Sequence, residues 1–139
     1  MTISLYIRVS EVMKTEIRTI DPMSAVSDAM VEMTNSKVSS LVIERRDDKD
    51  EYGLIVIADI AREVISQNRA PERVNVYEIM SKPTLTLDKD MDIKYAIRLL
   101  SNFGVSRGLV LDHERNLVGL VTLRDMVLAY AHRVEGVPE

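Results

Sequence analysis

The chain is written twice. Val9-Ser10-Glu11-Val12-Met13 returns as Val76-Tyr77-Glu78-Ile79-Met80, and Thr19-Ile20-Asp21 as Thr86-Leu87-Asp88, both at an offset of 67 residues (76 − 9 and 86 − 19). Ala29 and Ala96, Asn35 and Asn102, and Val38-Ser39 and Val105-Ser106 keep that offset. Gly53 and Gly119 stand 66 apart (119 − 53), so one residue is lost in the loop between two hydrophobic runs. A register that survives several apolar segments and slips only in a loop marks duplicated units. Whatever one half folds into, the other must fold into as well.

Each half reads as turn, strand, helix, strand, hairpin, strand, helix. Glu16 to Ile20 predicts a short strand closed by Asp21-Pro22. Ser24 is placed to cap a helix whose apolar residues Val26, Ala29, Met30 and Met33 recur at spacings of three and four. Val38 to Ile43 predicts a strand, the seven consecutive charges from Arg45 to Glu51 a solvated hairpin loop, Gly53 to Ile57 the answering strand and Ala58 to Gln67 the answering helix. Asn68 to Asn75 reads as a polar linker, and Ile3 to Ile7 as an edge strand or lead-in. A helix between the first two strands favours a parallel crossover, and the hairpin makes the last two antiparallel. The expected fold class is therefore α/β with mixed sheets. It consists of two β-α-β-β-α units, 8–67 and 76–133, joined by a linker at 68–75, followed by a tail at 134–139 and packed sheet to sheet as a pseudo-two-fold pair.

Both units end in the same corner. Gly119-Leu120-Val121-Thr122-Leu123-Arg124-Asp125 is a buried strand that passes into a helix, with Thr122 as the expected N-cap and Asp125 in the first turn. Gly53-Leu54-Ile55-Val56-Ile57-Ala58-Asp59 repeats the glycine-to-aspartate spacing. A helix start leaves N–H groups pointing outward, which suits an anion, while a carboxylate one turn in can accept hydrogen bonds from sugar hydroxyls. Capping alone explains one such corner; two in register ask for more.

Composition narrows the rest. No cysteine is present, which excludes disulfides, thiolate metal sites and cysteine nucleophiles. The net charge of −4 is spread evenly, so neither half offers a basic face to nucleic acid. No apolar run approaches the roughly 20 residues a bilayer needs, and the N-terminus lacks a secretory pattern; the expected address is cytoplasmic. His113-Glu114-Arg115 sits at a predicted hairpin tip with no nucleophile or second histidine nearby in sequence. No P-loop, His-Glu-x-x-His or EF-hand pattern occurs, so neither a catalytic residue nor a metal site is expected.

The Val-x-Glu-hydrophobic-Met lead-in, the Val-Ser strand starts at Val38 and Val105, and the duplicated Gly-to-Asp corner together resemble the tandem cystathionine-β-synthase (CBS) domain pair, over about residues 8 to 133. The resemblance implies a cleft for an adenosyl ligand, AMP, ADP or ATP, with S-adenosylmethionine as a further candidate. It also implies regulation of a protein partner in trans, a homodimer, and no cofactor. Asp125 would hold ribose hydroxyls, Thr122 would meet ribose or phosphate, Arg107 after Ser106 would bind phosphate, Thr84 would line the adenine or ribose, and Val105 would sandwich the base. The first unit departs from the pattern: Val56 stands for the threonine, Ser40 after Ser39 for the arginine and Ile17 for Thr84, while Asp59 remains. One principal site in the second unit and a weaker one around Ile17, Ser39, Ser40 and Asp59 are expected. The expected function is a free-standing, non-catalytic nucleotide-sensing module. Its rivals are a ligand-free dimerisation scaffold and an enzyme with a cryptic hydrolytic site.

Overall fold

The computed structural model describes residues 5–136, so the start of the Ile3 to Ile7 stretch lies outside the described residues. Its strands form two small sheets, one of two strands and one of three, accompanied by helices. The chain divides into two compact units: Ile17–Thr84, and Met1–Glu16 together with Leu85–Glu139.

The unit Ile17–Thr84 contains α1 (Val26–Ser36), β1 (Ser40–Ile43), β2 (Gly53–Val56) and α2 (Ile57–Ile60), which runs on as a π-helical turn over Ala61–Ile65. The strands pair antiparallel, Ser40 opposite Val56 and Ile43 opposite Gly53. Val26, Ala29 and Met33, spaced along one face of α1, pack with Leu41, Ile43, Ile55, Ile60 and Val64, and Val74 and Val76 complete this core. Full burial of such side chains stabilises the fold by about 1.5–3 kcal/mol each.

Two expectations need correction here. Glu16 to Ile20 forms no strand but a single parallel bridge, Thr19 to Val42. In the other repeat the ladder is extended by Lys89, whose N–H donates to the Leu111 carbonyl at 3.0 Å; the equivalent residue is Pro22, which has no N–H to donate. Nor does Ser24 cap α1. Its N–H donates to the Asp21 carbonyl and its own carbonyl accepts from Val76 N–H, so the N-cap falls to Ala25, which has no side-chain oxygen.

The other unit contains β3 (Thr86–Asp88), α3 (Ile93–Asn102), β4 (Arg107–Leu111), β5 (Leu117–Thr122) and α4 (Leu123–Val134). β3 runs parallel to β4, as the crossover argument favours, and β4 antiparallel to β5, giving the sheet order β3-β4-β5. Asp92 caps α3 by accepting the Lys94 N–H at 3.1 Å. The helix stops at left-handed Gly104 (φ 66°); the same position of the first repeat is Lys37, also left-handed (φ 56°). Leu87, Ile93, Ala96, Leu100, Val110, Val121 and Met126 form this core, with Ile7 and Val9.

Each compact unit thus takes its last core residues from the segment that precedes the other repeat. Those lead-ins are built alike. Val9–Glu11 and Val76–Glu78 are single 3₁₀ turns. In each, the glutamate reaches back to the N-cap: Glu11 Oε2 accepts the Arg8 N–H at 2.7 Å and Glu78 Oε2 the Asn75 N–H at 2.7 Å. This capping explains why the repeat keeps the glutamate. After the turn, Lys14 bridges antiparallel to Leu120, and Ser81 to Leu54.

Candidate functional site

β4 and β5 put the second corner together. Arg107 is the first residue of β4 and Thr122 the last of β5, and they occupy the same rung of the antiparallel ladder. Ser106 carbonyl accepts the Leu123 N–H at 2.8 Å, which ties the start of α4 to the strand beside it. Val105, immediately before, carries an exposed side chain. Val105, Ser106, Arg107, Thr122 and Asp125 therefore gather at the N-terminus of a 12-residue helix, where the positive end of the dipole favours an anion.

Thr122 does cap this helix: its Oγ1 accepts the Asp125 N–H at 3.1 Å. A hydroxyl that accepts one bond keeps its proton to donate and a second lone pair, so capping and ligand contact are compatible. The Asp125 carboxylate lies 4.0 Å from Lys14 Nζ and 3.9 Å from Arg124 Nη1. The Arg107 guanidinium is half-buried. Burial pushes its pKa below the ordinary arginine value, and the charge of Asp125 acts in the opposite direction. A desolvated cation beside a helix N-terminus is a place where an incoming phosphate recovers electrostatic energy that water no longer supplies.

The first corner has the same backbone and different chemistry. Ser39 carbonyl accepts the Ile57 N–H at 2.9 Å, matching the Ser106 contact, and Ser40 pairs with Val56 where Arg107 pairs with Thr122. Val56 is the N-cap and supplies no side-chain oxygen. Asp59 is bound by Arg62 Nη2 of its own helical segment at 2.6 Å, and its side chain is only 15% exposed. Ile17 belongs to this same unit and is half-buried. So does Thr84, whose N–H donates to the Tyr52 carbonyl at 3.3 Å, beside the start of β2.

Sequence reasoning missed Lys14 and Arg62. The Asp59–Arg62 pair was legible, since residues three apart share a helix face. Lys14 was not, because no local periodicity shows that its segment lies on β5. His113, read as a solvated hairpin residue, lies exposed in the turn between β4 and β5, 3.0 Å from Asp90 Oδ2 and 3.7 Å from Asp88 Oδ2. All three of these side chains are well exposed, and the group reads as a surface polar contact between the hairpin and the end of β3.

Comparison with known proteins adds the following. The family model described as CBS domain matches residues 9–66 and again 76–132. The chain is 29% identical over 134 residues to a protein of Methanopyrus kandleri, covering 96% of this chain and 67% of that protein. A Thermofilum pendens protein is 28% identical over 145 residues, and the match covers 97% of this chain but 47% of that one. Among solved structures, the hexameric CBS-CP12 protein from bloom-forming cyanobacteria superposes with a TM-score of 0.88 at 26% identity, covering 94% of this chain and 71% of that one. A CBS domain protein from Pyrobaculum aerophilum complexed with AMP gives a TM-score of 0.76 at 19% identity (90% of this chain, 98% of that one). A CBS domain pair complexed with 5′-methylthioadenosine and S-adenosyl-L-methionine gives 0.78 at 22% (93% and 99%). At these last identities the likeness is one of fold.

Proposed function

This chain belongs to the CBS domain family, and on that premise we propose that it is a non-catalytic regulatory module that binds a phosphorylated adenosine at the corner formed by Val105, Ser106, Arg107, Thr122 and Asp125. The observation that carries the reading is the rung joining Arg107 to Thr122 next to Asp125 at the start of α4. It sets a guanidinium for phosphate, a hydroxyl, and a carboxylate for ribose within one turn of each other. The AMP complex of the Pyrobaculum aerophilum protein and the 5′-methylthioadenosine and S-adenosyl-L-methionine complex of the other neighbour support an adenosyl ligand.

The corner of Ile17, Ser39, Ser40 and Asp59 is the weaker site in this reading, because its carboxylate is already held by Arg62 and its rung offers neither cation nor threonine hydroxyl. Bound nucleotide would stabilise one arrangement of the chain, and a protein partner would respond to that population shift. Exposed Val127, Leu128 and Tyr130 on α4 are available for self-association, as are Ile57 and Ile65 beside an apolar cleft of about 260 Å³.

Isothermal titration calorimetry with AMP, ADP, ATP and S-adenosylmethionine tests the reading. Asp125→Ala is expected to weaken binding at least tenfold and Asp59→Ala less than twofold. The reverse order would move the site to the first corner. A second reading, a self-associating scaffold with no ligand, takes the Thr122 bond as helix capping and nothing more. A ligand present at 100 times its Kd adds about 2.7 kcal/mol of stability, so a thermal melt unchanged by millimolar nucleotide would select the scaffold.

A further inference from the structure

Lys14 stands over the corner without belonging to it in sequence. Its backbone is fixed: the N–H donates to the Leu120 carbonyl at 2.8 Å and the carbonyl accepts the Leu120 N–H at 2.9 Å. Leu120 is two residues before Thr122 on β5, so the lead-in runs beside the strand that delivers the site. Gly119 permits the approach, since a Cβ there would overlap the Met13 side chain and come within 3.0 Å of the Lys14 carbonyl.

The head group is another matter. Lys14 Nζ lies 4.0 Å from Asp125 Oδ2, with the lysine side chain 70% exposed and the aspartate 21%. An ion pair this long and this exposed is weak and easily exchanged. The flexible four-carbon stem lets the ammonium move while the backbone stays put. At the matching place the other lead-in has Ser81, and Asp59 is held instead by Arg62, at 2.6 Å and from its own helical segment. Among the described residues, the second corner thus has a cation that arrives on a separate segment and is loosely held.

We propose that Lys14 is a specificity-determining residue of the nucleotide site, leaving Asp125 to the ribose and taking the ligand's phosphate, so that the lead-in segment reads phosphate charge. The proposal rests on the nucleotide reading above and adds a discrimination that Arg107 alone does not make. Arg107 is half-buried and fixed at the strand start, and suits the phosphate nearest the ribose. The Lys14 side chain is 70% exposed on a flexible stem, and suits the charge beyond it.

The experiment is calorimetry of the full chain with adenosine, AMP, ADP and ATP at about 0.15 M salt, an ionic strength that leaves short-range charge contacts measurable. Lys14→Met keeps the aliphatic stem and removes the ammonium; Lys14→Arg keeps the charge. For Lys14→Met, adenosine affinity should stay within twofold of wild type, while ADP and ATP affinity should fall about tenfold, the loss expected for one charge-assisted contact. Lys14→Arg should restore ATP to within about threefold. Equal losses for adenosine and ATP would mean that Lys14 merely holds the lead-in, and no loss for either would mean that it does not touch the ligand; each overturns the proposal. Wild-type protein that binds none of the four overturns the nucleotide reading itself.

Discussion

Arg107 and Thr122 face each other across β4 and β5, and the same rung in the first repeat joins Ser40 to Val56. The two pairs sit on equivalent backbone, each beside a serine carbonyl that accepts the first N–H of the following helix. Duplication therefore supplies a control inside one molecule: where the two corners behave differently, side chains are responsible.

The most direct use of that control is to rebuild the first corner. Ser40→Arg, Val56→Thr and Arg62→Leu together give it the residues of the second and release Asp59 from its 2.6 Å ion pair. Charge-assisted hydrogen bonds contribute about 1.5–3 kcal/mol each. Calorimetry should then find a second nucleotide per chain; unchanged stoichiometry would mean that the side chains of the rung do not decide occupancy.

Helix capping offers a paired test of stability. Asp92 accepts the Lys94 N–H at the start of α3, whereas the matching Ala25 gives α1 nothing. Asp92→Ala should cost about 1 kcal/mol and Ala25→Asp should add about 0.5–1 kcal/mol, read from the midpoint of urea unfolding at constant m-value. Equal and negligible shifts in both would refute the account of why the helices start where they do.

Close approach of the lead-in makes Gly119 less replaceable than Gly53. At Gly119 an added Cβ overlaps the Met13 side chain and lies 3.0 Å from the Lys14 carbonyl; at Gly53 the nearest atoms, Ile43 Cβ and the Ser81 carbonyl, are both 3.3 Å away. Gly119→Ala should lose about 1–3 kcal/mol by overpacking, and Gly53→Ala visibly less. Amide exchange should show the loss at Lys14 and Leu120, whose paired bonds are the first to open.

Acid should weaken the chain through the lead-in turn. The Glu11 carboxyl is held below its ordinary pKa, first by the Arg8 backbone N–H, with further help from Arg133, whose Nη1 lies 3.2 Å away. A group depressed in the folded state adds stability above its unfolded pKa, near 4.3, and that stability disappears as pH falls through the lower folded value. The Asp50 and Asp112 carboxyls, also depressed by backbone N–H bonds, act in the same sense. Melting temperature should drop below about pH 4.5, and Glu11→Gln should flatten part of that drop; a variant curve parallel to wild type would exclude Glu11 as a contributor.

Much of this was legible from the offset of the repeats. The parallel crossover of the second repeat, the antiparallel hairpins and the strand-to-helix passage at the two corners followed from apolar runs and turn residues, because those signals are local. The capping role of Glu11 and Glu78 sits in plain view as a glutamate two residues after a valine, yet it needed coordinates to be distinguished from a surface charge. Pro22 showed in the sequence, but that its missing N–H reduces a strand to a bridge depends on what Lys89 does in the other half. Lys14 was hidden altogether: its bonding to Leu120 joins segments more than a hundred residues apart, and periodicity carries no information about that pairing.

The exchange of lead-ins bears on ancestry and on dissection. A solitary repeat would leave its own core open where Ile7 and Val9, or Val74 and Val76, now sit, and could fill the gap only by trading that segment with a twin. Tandem fusion turns a concentration-dependent trade into an intramolecular one with a far higher effective concentration. A fragment cut at the linker should accordingly refold as a reciprocally swapped pair, and dilution, which leaves the whole chain intact, should melt it.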